Sequence, residues 1–306
     1  MGKSRAIKIK DNIDGWLFVL PAFLFLLILM IYPIIHTFIL SFQKYNYVYD
    51  SKPVFVGIHN YIKVLKSDTF SKAFFNTLYF AGVYIPLMFV LGFFVGLIFS
   101  RYDMVAGRVS KVVLFIPMVI PISMSCFMFL FMLNPQWGLV NSLFKDYLKL
   151  PFLARDWMND ASTAMNMILL VTIWWRVGFI GLLFLSGIQA ISESVIEAAI
   201  IDGANAWHRI TRIILPNLRE TYLVVGILTI VTSIKLFAQV VAMTGTLSPQ
   251  NAGGPAKATL TLYVATWKSA FLYYDLGIGS SMGYLMSLII ITLFAINFFV
   301  NRSEKA

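Results

Sequence analysis

Residues 197–216 have the sequence EAAIIDGANAWHRITRIILP, a polar stretch between two long hydrophobic segments. Ser194 and Glu197 have the spacing of a capping box, in which each side chain binds the backbone amide of the other residue. This spacing predicts a helix that Ser194 caps and that runs towards Ile201. An Asp-Gly dipeptide follows at 202–203, and such dipeptides favour a tight turn.

After this turn, Asn205 can cap a second helix, because its side chain can accept a hydrogen bond from the first helical turn. Trp207, Ile210 and Ile214 then lie along one face, and Pro216 resets the chain before the fifth predicted span. Two short helices joined by a tight turn form a compact helix-turn-helix. A linker lying on the lipid is the alternative, but a linker needs neither the turn nor two capped helices. Docking to a soluble partner is therefore favoured.

The composition excludes an ordinary soluble domain. Of the 306 residues, 59% are hydrophobic and 12% are charged, whereas soluble domains carry about 25% charged residues. The lipid bilayer is therefore the expected surrounding. The net charge of +10 comes from basic residues in short segments between apolar runs, which is typical of membrane helices and does not indicate nucleic acid. Cys126 is the only cysteine, so disulfides and cysteine-based metal sites are excluded.

Apolar runs long enough to cross a membrane predict an all-α integral membrane protein with one transmembrane domain. The first run is longer than a signal-peptide core and lacks a cleavage site, so we expect it to be retained. Six spans are predicted, near residues 15–42, 74–100, 110–133, 163–187, 221–243 and 281–300.

The distribution of Lys and Arg predicts the orientation. Basic residues are denser in both tails and in the short connections after the second and fourth spans than in the longer loops. Because basic segments stay on the cytoplasmic side, both termini and the helix-turn-helix are expected there. Residues 141–150 and 262–274, in the outer loops, mix aromatic and polar residues at helical spacing, which predicts short interfacial helices.

The sequence contains no complete motif for catalysis or cofactor binding. Residues 2–4, Gly-Lys-Ser, lack the strand and first glycine of a phosphate loop. The histidines are too far apart to suggest a metal motif: His36, His59 and His208. Three glycines have the wrong spacing for a dinucleotide motif and are interpreted as a flexible start to the last span: Gly277, Gly279 and Gly283. We predict no catalytic residue, no metal site and no cofactor bound by this chain.

Two basic residues fall inside predicted spans, Arg176 in the fourth and Lys235 in the fifth. Charges at that depth are costly and usually face a polar pathway, although snorkelling or pairing is the alternative. No acidic residue falls in the core of a predicted span. Proton- and sodium-driven carriers commonly hold such a carboxylate, so its absence argues that transport is powered from outside this chain.

The motif E-A-A at 197–199, Gly203 after three further residues, and I-x-L-P at 213–216 resemble the EAA loop of ABC-importer permease subunits. Flanking segments are similar to those of carbohydrate-type permeases: FLSGIQAI at 184–191, FAQV at 237–240 and GGP at 253–255. One departure is the insertion of residues 246–252 between a Thr-Gly pair and GGP, which relatives often run together. This departure leaves the exact sugar open.

The resemblance implies several partners. Two homologous permeases would enclose the pathway, a dimer of nucleotide-binding ATPase subunits would bind ATP and Mg, and an extracellular solute-binding protein would deliver a sugar. The membrane would be a bacterial or archaeal cell membrane. The loop 192–218 would insert into a cleft on an ATPase subunit. The implied coupling residues are Glu197, Ala198, Ala199, Asp202, Gly203, Ala204, Trp207, Arg209, Ile213 and Pro216.

By the same resemblance, solute contacts would come from the middle of the fourth and fifth spans. We predict Trp175, Arg176, Lys235 and Gln239, because aromatic faces stack on sugar rings and amide or cationic groups bind hydroxyls. A permease for an anionic solute, such as a sugar acid, is an alternative in which the two cations form the anion site. A self-contained carrier or channel is a further alternative, and a membrane-embedded sugar-transfer enzyme is a more distant one.

Overall fold

The computed structural model describes residues 15–101, 105–245 and 248–302. In these ranges the chain is mainly helical, and its one sheet pairs β1 (Gln43–Lys44) with β2 (Val54–Phe55) in antiparallel register. The helices are α1 (Gly15–Ser41), α2 (His59–Leu65), α3 (Asp68–Arg101), α4 (Val105–Val119), α5 (Ile122–Met132), α6 (Leu139–Ser142), α7 (Ala164–Gln189), α8 (Glu193–Ile201), α9 (Ala206–Arg209), α10 (Arg219–Ile234), α11 (Ala238–Thr244), α12 (Leu262–Trp267) and α13 (Leu276–Arg302).

Three of these helices continue into wider π turns: α6 into Leu143–Tyr147, α9 into Ile210–Ile214, and α12 into Lys268–Leu272. A short α-helical turn, Leu215–Asn217, follows the π turn after α9. Another π turn, Leu27–Ile31, lies within α1. Isolated 3₁₀ turns occur at Pro151–Leu153, Pro249–Asn251 and Pro255–Lys257. The helical part of the prediction for residues 141–150 and 262–274 is confirmed by α6, α12 and their π turns.

Five segments of the described chain are long and apolar enough to span a membrane, and a bent pair of helices makes a sixth when counted as one span. The five segments are Gly15–Ser41, Asp68–Ser100, Ala164–Gln189, Arg219–Thr244 and Leu276–Phe298. The bent pair is Lys111–Val119 with Ile122–Met132, at an angle of 100°. The architecture is therefore an all-α membrane bundle. We call the end that carries the loop 192–218 the inner end and the opposite end the outer end.

The bundle is centred on α3 and α7, which pack together along much of their lengths. Glycines allow this close approach. A Cβ atom added to Gly96 would lie 2.7 Å from Cβ of Phe184 and 3.1 Å from the carbonyl oxygen of Gly181. Lipid tails are as apolar as the helix surfaces, so no hydrophobic force drives helices together inside a membrane. Helices associate there through tight packing of this kind. Phe80, Tyr84 and Phe184 are fully buried at this contact.

The third predicted span, 110–133, is broken at Ile120 and Pro121. Pro121 has φ −52° and ψ 130°, so the backbone leaves the helical conformation here and the carbonyl oxygen of Ile120 loses its helical partner. The indole Nε1 of Trp175 donates to the freed carbonyl oxygen of Ile120 at 2.9 Å, so α7 supplies the missing partner. α4 also contacts α7 closely about two helical turns before this break. A Cβ atom added to Gly178 would overlap the carbonyl oxygen of Leu114.

The fifth predicted span, 221–243, is also interrupted. The helix α10 ends at Ile234, and α11 begins at Ala238. Between them, the hydroxyl of Thr261 donates to the carbonyl oxygen of Leu236 at 2.7 Å, in a buried position. A residue from the outer loop thus satisfies the backbone inside this span.

The start of the last span corrects one expectation. The glycines at 277, 279 and 283 are not a flexible segment, because α13 begins at Leu276 and contains all three. A Cβ atom at Gly277 would overlap the carbonyl oxygen of Gln43, and one at Gly279 would lie 2.7 Å from Cβ of Ala270. Two of these glycines therefore allow close packing at the outer end, which their sequence spacing alone did not indicate.

We predict that Gly178→Ala destabilises the fold by about 1–3 kcal/mol, because the new methyl group must displace the backbone of α4. The matched control is Gly82→Ala in α3, where an added Cβ meets no atom within 4 Å. The measurement is the thermal unfolding midpoint of the purified protein in detergent. Equal midpoints for the two variants would contradict the proposed close contact between α4 and α7.

Candidate functional site

The loop 192–218 lies at the inner end and is built from two helices around a left-handed turn. Helix α8 closes with two hydrogen bonds, from the N–H of Gly203 to Ile200 at 3.0 Å and from the N–H of Ala204 to Ala199 at 2.8 Å. This pattern is a Schellman motif, which requires a left-handed residue after the helix. Gly203 has φ +80°, a conformation that costs a side chain roughly 1–2 kcal/mol. The glycine of the turn is therefore required by backbone geometry.

The second helix begins as predicted. The side-chain oxygen of Asn205 accepts from the N–H of His208 at 2.8 Å, so Asn205 is the N-cap of α9. The capping box at Ser194 was wrong, because α8 begins at Glu193 and Ser192 occupies the N-cap position. Ser192 has the extended backbone of a cap, and its hydroxyl lies 2.7 Å from that of Ser194. The acidic Glu193 in the first turn suits the positive end of the helix.

The loop exposes large apolar side chains. Ile201 is 85% exposed and Trp207 is 69% exposed, although both are large and hydrophobic. Exposed apolar groups of this size at a polar surface typically mark an interaction site. Several smaller or polar members of the predicted coupling set are also exposed: Glu197, Ala198, Asp202, Gly203 and Pro216. The remaining members are half-buried: Ala199, Ala204, Arg209 and Ile213.

The second half of the loop lies against the inner part of α3. A cavity of about 350 Å³ separates Phe93 of α3 from Trp207 and Ile210 of the loop. A second cavity, of about 290 Å³, is lined by Leu97, Arg209 and Ile210. The predicted apolar face of α9 and its π turn is thus directed at the membrane domain. Ile214 of the loop also packs against the buried core of the bundle.

The residues predicted to contact solute lie on three elements. Trp175 and Arg176 lie midway along α7, Lys235 lies at the end of α10, and Gln239 lies in the first turn of α11. The indole N–H of Trp175 binds the break at Ile120, so this side chain has a structural role that the sequence did not reveal. Lys235 is exposed within this chain, and Gln239 is 8% exposed.

Arg176 has the most unusual surroundings of these four residues. Its guanidinium lies 5.7 Å from the centre of the Trp175 ring and 5.6 Å from that of Phe179, both within range of a cation–π interaction. Its Nε atom is buried and has no hydrogen-bond partner in the described chain. A buried donor without a partner is costly, so it is suited to a ligand oxygen.

Two residues that sequence reasoning missed support this region. Thr261 binds the backbone at the break of the fifth span, and Asn76 of α3 donates to the carbonyl oxygens of Lys257 and Leu260. Both contacts join positions far apart in the chain, so no local pattern could reveal them. Among the described residues, no group of three or more His, Cys, Asp or Glu side chains could hold a metal ion.

We predict that Asn205→Ala weakens α9 by about 1 kcal/mol, because the N–H of His208 loses its acceptor. Hydrogen exchange at the amides of His208 and Arg209 should accelerate by roughly fivefold in the full chain. The matched control is Asn205→Asp, which keeps the acceptor oxygen and should exchange like the wild type. Unchanged exchange in the alanine variant would show that the cap does not stabilise this helix.

Comparison with known proteins agrees with this geometry. Residues 88–306 match the family model of the binding-protein-dependent transport system inner membrane component. The MalF permease protein of the trehalose/maltose transport system of Thermococcus litoralis is 30% identical, over 98% of this chain and 97% of its own length. The AraP permease protein of the arabinooligosaccharides transport system of Bacillus subtilis is 30% identical, over 95% of this chain and 89% of its own length.

The fold is also found in a solved structure. A chain of the bacterial alginate ABC transporter, in complex with an alginate pentasaccharide-bound periplasmic protein, superposes with a TM-score of 0.80 at 18% identity. The superposition covers 97% of this chain and 96% of that chain. Together with the multi-pass helical bundle and the loop at its inner end, these matches show that the chain belongs to the family of binding-protein-dependent transport system inner membrane components.

Proposed function

We propose that this chain is the membrane-spanning subunit of an ATP-driven ABC importer that moves a sugar or oligosaccharide into the cell. The observation that carries the proposal is the loop 192–218, whose capped helices expose Ile201 and Trp207 at the inner end of a transport-family bundle. The relatives named for trehalose/maltose and arabinooligosaccharide transport support a sugar as the solute.

The energy for transport enters from outside this chain. Its sequence has no phosphate loop and no carboxylate in the core of a predicted span, so it has neither an ATP site nor an evident coupling-ion site of its own. ATP and Mg are bound by a dimer of partner ATPase subunits. The loop 192–218 is the contact through which closure of those subunits pulls on α3 and the rest of the bundle.

The other partners follow from the same assembly. A second, homologous permease completes the translocation pathway, and an extracellular solute-binding protein delivers the sugar to the outer end. The alginate transporter, whose structure includes a substrate-bound periplasmic protein, supports this arrangement. The complex lies in the cell membrane of a bacterium or archaeon.

The solute passes between the fourth and fifth spans. Interrupted helices commonly build the solute sites of transporters, because their free backbone groups and side chains face a cavity. Lys235 and Gln239 flank the interruption of the fifth span, and Trp175 and Arg176 lie midway along α7. In this arrangement Arg176 and Gln239 bind sugar hydroxyls, and the rings beside Arg176 pack on the sugar.

We predict that Gly203→Pro leaves the protein in the membrane but abolishes coupled import, because proline cannot adopt φ +80°. The test is uptake of radiolabelled maltose, trehalose and lactose, together with ATP hydrolysis, by proteoliposomes holding the complete complex. The matched control is Gly57→Pro in an outer loop, where φ is +58° and a Cβ meets nothing within 4 Å. Normal import by the Gly203 variant at normal ATP consumption would refute the coupling role.

An anionic solute is a second candidate, and the buried, unpartnered Nε of Arg176 is the observation that favours it. The double variant Arg176→Gln, Lys235→Gln removes both intramembrane cations. If the solute is neutral, import should fall by about tenfold or less, since only hydrogen bonds are weakened. If uptake of an acidic sugar such as galacturonate falls much more steeply than uptake of maltose, the anionic candidate is correct.

A further inference from the structure

A polar cavity of about 520 Å³ opens at the outer end of the fourth and fifth spans. Its volume lies in the range of about 300–1,000 Å³ that is typical of small-molecule sites. One wall is formed by Met243 and Thr244 at the outer end of α11, about one helical turn beyond Gln239. The cavity therefore lies on the outward continuation of the proposed solute pathway.

The chemical groups that line the cavity suit a molecule rich in hydroxyl groups. Besides Thr244, the polar and aromatic side chains that line it are Asn159, Gln250, Asn251, Lys257, Lys268 and Tyr273. Amides offer both donors and acceptors, and ammonium groups offer several donors. The Tyr273 side chain is 57% exposed and can present its ring face to a sugar. No lining residue in the described chain is acidic, so no carboxylate competes for the donors.

The structure holds these groups in place before any ligand arrives. The Nζ of Lys268 donates to the carbonyl oxygens of Gln250 at 2.8 Å and Ala252 at 3.0 Å, which leaves one of its three donors for a ligand. The Nζ of Lys257 donates to Thr69 of α3 at 2.8 Å. A site whose side chains are already ordered loses less entropy on binding.

The two lysines also favour an electron-rich oxygen between them. Burial and the nearby positive charge of Lys257 lower the pKa of Lys268. A hydroxyl or other ligand oxygen that accepts from both ammonium groups would relieve this repulsion. The backbone that carries them is constrained as well, since Gly253 and Gly254 have φ of +116° and +69°, and the N–H of Gly253 donates to Thr244 at 3.1 Å.

We propose that this cavity is an outer sugar-binding subsite, which holds the solute after its release from the solute-binding protein and before it enters the spans. The inference rests on the proposed function and adds a second binding position to its pathway. Its role is to prevent the released sugar from returning to the outside. Loss of the subsite should therefore reduce the sugar imported for each ATP hydrolysed.

The test uses the complete complex in proteoliposomes, with the sugar of the maltose, trehalose and lactose panel that the wild type imports fastest. For Tyr273→Ala, the ratio of imported sugar to hydrolysed ATP should fall by about threefold, because the stacking ring is lost. For Asn251→Ala, it should fall by about twofold, because one hydrogen-bonding group is lost. Tyr273→Phe keeps the ring and should match the wild type.

The matched control is Tyr147→Ala, which removes an 80% exposed tyrosine from an outer loop that does not line the cavity. The binding-protein concentration that gives half-maximal ATPase activity should be the same in all variants. An unchanged import ratio in both alanine variants would overturn the subsite. The subsite would also be overturned if the half-maximal binding-protein concentration rose while the ratio of imported sugar to hydrolysed ATP stayed the same. That result would mean that the cavity contacts the binding protein. If the wild type imports neither a sugar of the panel nor galacturonate, the proposed function itself fails.

Discussion

The structure depends on one constraint, that backbone polar groups inside the bilayer must find partners within the protein. Two of the spans break, and each break frees a carbonyl group that needs a partner within the protein when lipid surrounds it. Trp175 binds the oxygen of Ile120 at the first break, and Thr261 binds the oxygen of Leu236 at the second. Without these two contacts each break would leave an unpaired carbonyl group, at a cost of about 1–3 kcal/mol.

These contacts connect parts of the chain that have different tasks. Trp175 lies beside Arg176 on α7, so the residue that supports one broken span is next to a proposed solute contact. Thr261 belongs to the segment that follows the outer cavity, so that segment and the second break are held by one hydrogen bond. At the inner end, the loop 192–218 lies along α3, which packs on α7. Ile214 of the loop packs against the buried core of the bundle, so a displacement of the loop can act on that core.

Local sequence patterns revealed the features that depend on neighbouring residues. Asn205 was predicted as an N-cap because the capping preference depends only on residues within three positions. The hydrogen bond that its side chain accepts from the N–H of His208 confirms this prediction. The start of α8 was misplaced by two residues, because Ser192 and Ser194 can both cap and only their surroundings decide. The glycines of the last span were misinterpreted for a related reason. Their small size serves contacts with Gln43 and Ala270, which are distant in the chain.

The sequence by itself determined that this is an all-α membrane protein with a helix-turn-helix loop, because hydrophobic length, turn residues and caps act locally. It also placed the chain among transport permeases, through the motif at 197–216. Only the tertiary structure decided where the spans break, which side chains support the breaks, and that the outer loop encloses a polar cavity. Those features arise from contacts between residues about 25 to 190 positions apart, such as Thr261 with Leu236 and Lys257 with Thr69, and no local pattern encodes such contacts.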